Sequence, residues 1–283
     1  MQIIDGKLVA KTTRESIAKE VEELKSRGFK RKIGLAVILV GNDPASEVYV
    51  RNKIKACEEV GIDSYLCRLP DESTFEDVAD TIEKLNENPD VSGIILQLPI
   101  PKHLDENKLI DLILPEKDVD GCTAAQKGRL WTGRDSLIAC TPYGVMKLLD
   151  FYNIPLCGKK AVVVGRSNLV GKPMAQLLLD RNCTVTVCHS RTENLEAVTS
   201  DADIVVVAIG KAKFLKADMV KDGAVVIDVG MDRDENGKLC GDVDFANVAD
   251  KCSYITPVPG GVGPMTVTML IANTLKAYRN SIE

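Results

Sequence analysis

Val164-Gly165-Arg166-Ser167-Asn168-Leu169-Val170-Gly171-Lys172-Pro173 follows the buried-strand pattern of Lys160 to Gly165 and opens a helical one. A glycine-rich turn between strand and helix is where a dinucleotide pyrophosphate sits. Glycine lets the backbone approach the phosphates, and a helix N-terminus offers N–H groups and partial positive charge. Ser167 stands where the standard G-x-G-x-x-G has its second glycine, so the turn read alone also fits a plain strand-to-helix connection. Roughly 20 residues or slightly more beyond it, the next strand ends at Cys188-His189-Ser190-Arg191-Thr192, where an NAD site usually carries an acid for the ribose hydroxyls. A hydroxyl and a guanidinium suit a 2′-phosphate, so Ser190 and Arg191 favour NADP over NAD. His189 has no acid partner visible in the sequence and reads as a polar loop residue.

Downstream of this turn, strand patterns recur at Thr184 to Cys188, Ile204 to Ile209, Ala224 to Val229 and Ser253 to Ile255, with helical patterns between most of them. Upstream the same alternation appears. A helix is expected from Thr12 or Thr13 through Ile17, Val21 and Leu24 to Gly28, and Ile33 to Val40 is continuously apolar, as in a strand covered on both faces. Asp43-Pro44 opens a helix running to Gly61, Ile62 to Leu69 is strand-like, Ser73 or Thr74 caps a helix reaching about Asn88, and Ser92 to Leu98 is a further buried strand. Alternation of this kind predicts parallel sheets with helical crossovers. Pro99, Pro101 and Pro115, then a polar stretch from Lys117 to Arg134, place a seam near residue 139; Thr141-Pro142 caps the next helix. The expected fold is therefore α/β with two α/β domains, residues 1–139 plus 270–283 and residues 140–269, the second Rossmann-like. Leu98-Pro99 and Val258-Pro259 lie at sharp reversals, and at least one of these bonds is expected to be cis.

The 283 residues carry 36 Lys and Arg against 41 Asp and Glu, a net charge of −5, which argues against nucleic acid as a main partner. The longest apolar runs, Leu35 to Val40 and Ile204 to Ile209, fall far short of the roughly 20 residues that span a bilayer, so no membrane association is expected. Met1 to Lys7 lacks the pattern of a secretory leader, which points to the cytoplasm. Nine cysteines, none in a Cys-x-x-Cys pair, read as reduced packing thiols, and with only two histidines no metal site is expected.

Four further places could carry chemistry. Tyr49 and Lys53 share one helix face, an aromatic able to stack on a flat ligand one turn before an amine, although Arg51, Lys53 and Lys55 also fit a solvated charged face. Gln97 is polar at the carboxyl end of a buried strand, where open α/β sheets bind ligands; a core amide bonded to backbone is the alternative. Asp120, in Asp118-Val119-Asp120-Gly121, could accept paired N–H donors from a heterocycle, or be a turn acid. Pro257-Val258-Pro259-Gly260-Gly261-Val262-Gly263-Pro264 is a stiff loop that still permits close backbone approach.

In order along the chain, Gly41 to Lys53, Gly93 to Pro99, Lys117 to Gly121, Gly165 to Pro173 and Pro257 to Thr266 resemble the bifunctional methylenetetrahydrofolate dehydrogenase/methenyltetrahydrofolate cyclohydrolase family of one-carbon metabolism. The resemblance covers nearly the whole chain. It implies two domains flanking a cleft, with tetrahydrofolate derivatives on the first, NADP on the second, and a homodimer. It further implies that Tyr49 stacks on the folate, Lys53 is catalytic, Gln97 supports it and Asp120 holds the pterin. Leu98, Pro259, Gly260 and Gly261 complete the implied substrate set, and Gly165, Arg166, Ser167, Ser190, Arg191 and Met231 the implied cofactor set. The implied reactions are hydride transfer from methylenetetrahydrofolate to NADP, then hydrolysis of the methenyl product to formyltetrahydrofolate. After Asp-Gly the family usually continues Phe-His-Pro and, two residues on, Asn, whereas this chain reads Cys122-Thr123-Ala124-Ala125-Gln126. Another two-domain NAD(P) dehydrogenase and a non-catalytic NADP sensor are the competing readings; neither accounts for Tyr49, Lys53, Gln97 and Asp120 together.

Overall fold

The computed structural model describes residues 1–28 and 31–282. They divide into two compact units, Thr12–Cys140 with Val267–Glu283, and Met1–Lys11 with Thr141–Thr266. The chain opens with β1 (Gln2–Ile3) and α1 (Gly6–Ser26). The helix starts well before Thr12 because the Asp5 carboxylate accepts the first-turn N–H groups of Lys7 and Leu8 at 2.9 and 3.1 Å, a cap the apolar spacing alone did not reveal.

In the first unit, β2 (Gly34–Val40) is buried at every residue, as its unbroken apolar run requires. Next come α2 (Pro44–Val60), β3 (Asp63–Leu69), α3 (Phe75–Glu87) and β4 (Gly93–Leu96). Thr74 and Asp77 cap α3 reciprocally, satisfying two otherwise orphaned N–H groups. The sheet is parallel in the order β3-β2-β4, with Ala36 opposite both Tyr65 and Ile94. Ala36, Ile38 and Val40 pack one face against Val78, Ile82 and Leu85 of α3. A short helix, α4 (Glu106–Asp111), precedes the stretch expected as a polar seam, which itself holds α5 (Ala124–Trp131); they are started by Asp105 and Thr123, whose side chains accept from Lys108 N and Gln126 N.

The second unit runs α6 (Cys140–Phe151), β5 (Lys160–Val164), α7 (Gly171–Asp180), β6 (Thr184–Cys188), α8 (Leu195–Ser200), β7 (Ile204–Val207) and β8 (Val225–Asp228). A small hairpin, β9 (Asp232–Arg233) and β10 (Leu239–Cys240), is followed by α9 (Phe245–Val248), β11 (Tyr254–Ile255) and α10 (Val262–Asn280). Six parallel strands form one sheet in the order β1-β11-β8-β7-β5-β6. The outermost strand of this sheet comes from the amino-terminal residues. Gln2 lies opposite Tyr254 and Ile3 opposite Ile255, so these residues complete the sheet of the second unit. Both Leu98-Pro99 and Val258-Pro259 are cis.

Candidate active site and cofactor turn

Asp43 accepts from Ser46 N at 2.7 Å and Pro44 fills the first turn, which sets the start of α2; Gly61 in the left-handed region ends it. That frame puts Tyr49 and Lys53 one turn apart, the tyrosine 41% exposed and the lysine half-buried. Lys53 Nζ donates to Gln97 Oε1 at 2.7 Å, across 44 residues of sequence. Gln97 is buried just past β4, its N–H bonded to Ile38 O at 2.9 Å, and its Nε2 donates to Leu98 O at 2.5 Å. With the amide nitrogen committed to backbone, the amide oxygen is left for the lysine. Burial pulls the Lys53 ammonium below the ordinary lysine range, and the nearby Asp120 carboxylate opposes that shift.

The two aspartates of the Asp118–Gly121 turn do different work. Asp118 is 1% exposed and accepts from Cys122 N at 3.1 Å and Thr123 N at 2.7 Å; burial raises its carboxyl above the usual range while those N–H groups hold it down. It shapes the turn. Asp120 is half-buried, and no backbone N–H holds its carboxylate among the described residues; it faces Lys53 and Cys140. Gly121, at φ +67, lies against the 137–139 backbone so closely that a Cβ would meet Leu137 O at 2.7 Å. The segment departing from the family pattern has its own role. Cys122 is buried beside Asp120, Thr123 caps α5, and the buried Gln126 donates to Pro115 O at 2.5 Å and accepts from Leu137 N at 2.9 Å. Cys140, read from sequence as packing only, sits beside Lys53 and Asp120, and burial drives its thiol far above the ordinary range. Neither its sequence neighbours nor its spacing signalled this.

In the second unit Gly165 has φ +125, and a Cβ there would overlap the Ala208 carbonyl oxygen, so only glycine fits the turn. The donor set differs from the sequence expectation. Ser167 Oγ accepts from Val170 N and Gly171 N at 3.1 and 3.3 Å, Ser167 O from Lys172 N at 3.0 Å, and residue 173 is proline. The first turn of α7 is therefore already satisfied. The N–H groups of residues 166–169 have no protein acceptor among the described residues, and all four residues are exposed. Ser190 and Arg191 are exposed after β6; His189 shapes their turn, its Nδ1 accepting from Arg191 N at 3.1 Å while its own N–H donates to Thr192 Oγ1 at 2.9 Å. Met231 is 57% exposed, just past β8. The loops after β7 and β8 are braced from beneath by two buried carboxylates. Asp242 accepts from Ile209 N and Lys211 N at 2.7 and 2.6 Å, and Asp228 accepts from Gly230 N, Asp242 N and Val243 N at 3.0, 2.9 and 2.9 Å. Pro259, Gly260 and Gly261 belong to this unit, so the substrate set expected from the sequence is divided between the two.

A lysine–glutamine pair beside a half-buried carboxylate in one α/β unit, and a Rossmann-like nucleotide turn in the other, define a two-domain NAD(P)-dependent enzyme. Models of the tetrahydrofolate dehydrogenase/cyclohydrolase match residues 4–120 as its catalytic domain and residues 139–282 as its NAD(P)-binding domain. The chain belongs to the tetrahydrofolate dehydrogenase/cyclohydrolase family. It is 58% identical to the bifunctional protein FolD of Sulfurovum sp. over 99% of each chain. The structure of the bifunctional FolD enzyme of Campylobacter jejuni superposes with a TM-score of 0.97 at 47% identity, covering 99% of both chains. That of the Trypanosoma brucei dehydrogenase-cyclohydrolase, complexed with NADP cofactor and inhibitor, does so with a TM-score of 0.94 at 38% identity, covering 99% of this chain and 98% of that one.

Proposed function

We infer that this chain oxidises methylenetetrahydrofolate to methenyltetrahydrofolate with NADP and hydrolyses the product to formyltetrahydrofolate. The observation that carries the reading is the Lys53–Gln97 pair beside Asp120, in a chain of this family. The first unit is the proposed folate unit. Tyr49 offers an exposed ring for a flat pterin, Asp120 an acceptor for its adjacent N–H donors, and Leu98, Pro259, Gly260 and Gly261 complete the proposed substrate set.

The second unit is the proposed NADP unit. The chain fits that group: Gly165 leaves a cradle that a Cβ would fill, residues 166–169 present free N–H groups, and Arg191 and Ser190 stand exposed for a 2′-phosphate. NADP, when bound, supplies the hydride acceptor. In the hydrolytic step water adds to the methenyl carbon, loses a proton, and a ring C–N bond opens as its nitrogen gains one. Burial favours the neutral Lys53 amine, which takes the proton from water and returns it to the nitrogen, while Gln97 Oε1 fixes the amine's direction.

The same reading includes a homodimer and a cytoplasmic location. Supporting the first, β6 is an edge strand with Thr184, Thr186 and Val187 exposed, an unpaired row of N–H and C=O groups. In keeping with the second, all nine cysteines are free and no helix among the described residues is long and apolar enough to cross a membrane.

The test follows both reactions on one folded Lys53→Met variant. NADPH formation from methylenetetrahydrofolate should remain measurable, while loss of the methenyl chromophore should slow by about a hundred-fold or more, the contribution of a positioned acid–base group. Near wild-type hydrolysis would reduce Lys53 to part of a charged helix face. Failure of the wild-type chain to form NADPH with this substrate would overturn the reading as a whole.

A further inference from the structure

We propose that Asn273 of α10 is a positioning residue for the folate reactions, its side-chain amide holding together the two backbone segments that carry Asp120 and Cys140. Asn273 is 1% exposed, and its Nδ2 donates to Val119 O and to Ile138 O, both at 2.8 Å, across 154 and 135 residues of sequence. One NH2 group thus uses both hydrogens to bridge the residue before Asp120 and the residue two before Cys140. The Cys140 thiol donates to the same Val119 oxygen at 3.4 Å and lies 3.9 Å from Asn273 Nδ2. Between these contacts Gly121 rests on the 137–139 backbone with no room for a side chain.

The amide matters for chemistry because of the difference between the two turn aspartates. Asp118 is fixed by its own bonds to Cys122 N and Thr123 N. No backbone N–H among the described residues holds the Asp120 carboxylate, so its placement follows the backbone at 119–121, and Asn273 grips that backbone at Val119 O. The Asp120 carboxylate also acts electrostatically on Lys53, and the buried Cys140 thiol lies beside both, so a shift between the two segments changes both the carboxylate presented to substrate and the surroundings of the amine. A buried amide has few alternatives once it moves, because Ile138 O would lose its amide donor and Val119 O would keep only the weak Cys140 thiol.

This inference rests on the proposed role of Asp120, and the experiment separates the two. In the full-length chain, Asn273→Ala and the milder Asn273→Ser are assayed beside Asp120→Asn, with circular dichroism to establish folding. Both Asn273 variants are expected to lower kcat/KM for methylenetetrahydrofolate by about ten-fold to a hundred-fold, the scale of a misplacement near 1 Å, through a raised KM for the folate. The KM for NADP should stay within two-fold of wild type. The pH profile of methenyl hydrolysis should move its lysine-dependent limb upward, since a loosened pocket lets the Lys53 ammonium return toward its ordinary range. A purely structural role would instead lower kcat in proportion to the folded fraction, leaving both KM values and the pH limb unchanged; that result overturns the proposal, as does failure of both Asn273 variants to fold. If Asp120→Asn itself leaves the folate KM unchanged, the assignment of Asp120 fails; if it raises that KM and the Asn273 variants do not, the positioning role alone fails.

Discussion

Asp118 and Asp120 are two residues apart and chemically identical, yet replacing them should separate stability from catalysis. Asp118→Ala removes a carboxylate that is 1% exposed and strands two N–H groups it now receives at 3.1 and 2.7 Å. Hydrogen bonds to a charged acceptor contribute about 1.5 to 3 kcal/mol each, so the gross loss is about 3 to 6 kcal/mol. Part of it is offset, because burial raises the Asp118 carboxyl and that cost disappears with the side chain; a net loss of about 3 kcal/mol is the expectation. Urea unfolding can be followed by circular dichroism and by emission of Trp131, the single tryptophan, carried on the helix that Thr123 caps. The Asp118→Ala midpoint should fall by about 1 M. Asp120→Asn, with no backbone N–H to lose, should stay within about 0.5 kcal/mol of wild type and instead raise the folate KM by about ten-fold to a hundred-fold. An unchanged midpoint for Asp118→Ala, or an equal loss of stability in Asp120→Asn, would refute the division of labour.

Two other outcomes can be measured directly. Arg191→Ala should raise the KM for NADP about ten-fold while changing that for NAD little, since the guanidinium is exposed and free to meet a 2′-phosphate; equal effects on both cofactors would remove the assignment. Asp228 is 3% exposed, and burial pushes its carboxyl up to about 7 from 3.8, so the folded chain binds its proton more tightly than the unfolded one. Its contribution to stability is therefore fully present below about pH 4 and lost as pH rises through 7, a fall of about 4 kcal/mol, and Asp228→Asn should flatten the slope of unfolding free energy over that window; an identical slope in the variant would reject the linkage.

The parts readable from sequence were those whose signal is local and continuous. β2 is seven apolar residues ending at Gly41, and α2 carries its cap, its proline and its terminal glycine in plain order, so element type and bounds follow from short-range chemistry. β1 is two residues long and owes its existence to partners at Tyr254 and Ile255, so no local pattern announces it. The α1 start was hidden for a related reason, since Asp5 precedes Gly6 and Lys7 rather than the apolar-spaced residues. At the site, Tyr49, Lys53, Gln97 and Asp120 were each nameable, but the bond between Lys53 and Gln97 spans 44 residues, and the burial that alters the lysine arises only once the chain has folded around it. The cofactor turn was recognisable by its glycine, whereas the donors it presents were not: Ser167 consumes the first-turn N–H groups of α7 through its hydroxyl and its backbone oxygen, an arrangement set by the fold of the turn.

The pairing of β1 with β11 also sets an order of events on the ribosome. Residues 2 and 3 are among the first to be made, and their partners 254 and 255 follow about 250 residues later. At about 5 to 20 residues per second that interval is roughly 10 to 50 s. Throughout it the edge of the large sheet that β1 finally covers does not yet exist, and the nascent amino terminus has no place to dock. Neither unit is a continuous stretch of chain, because each also needs residues from the opposite terminus. Truncation at the seam near residue 139 would therefore yield two fragments, each lacking a piece of its own core.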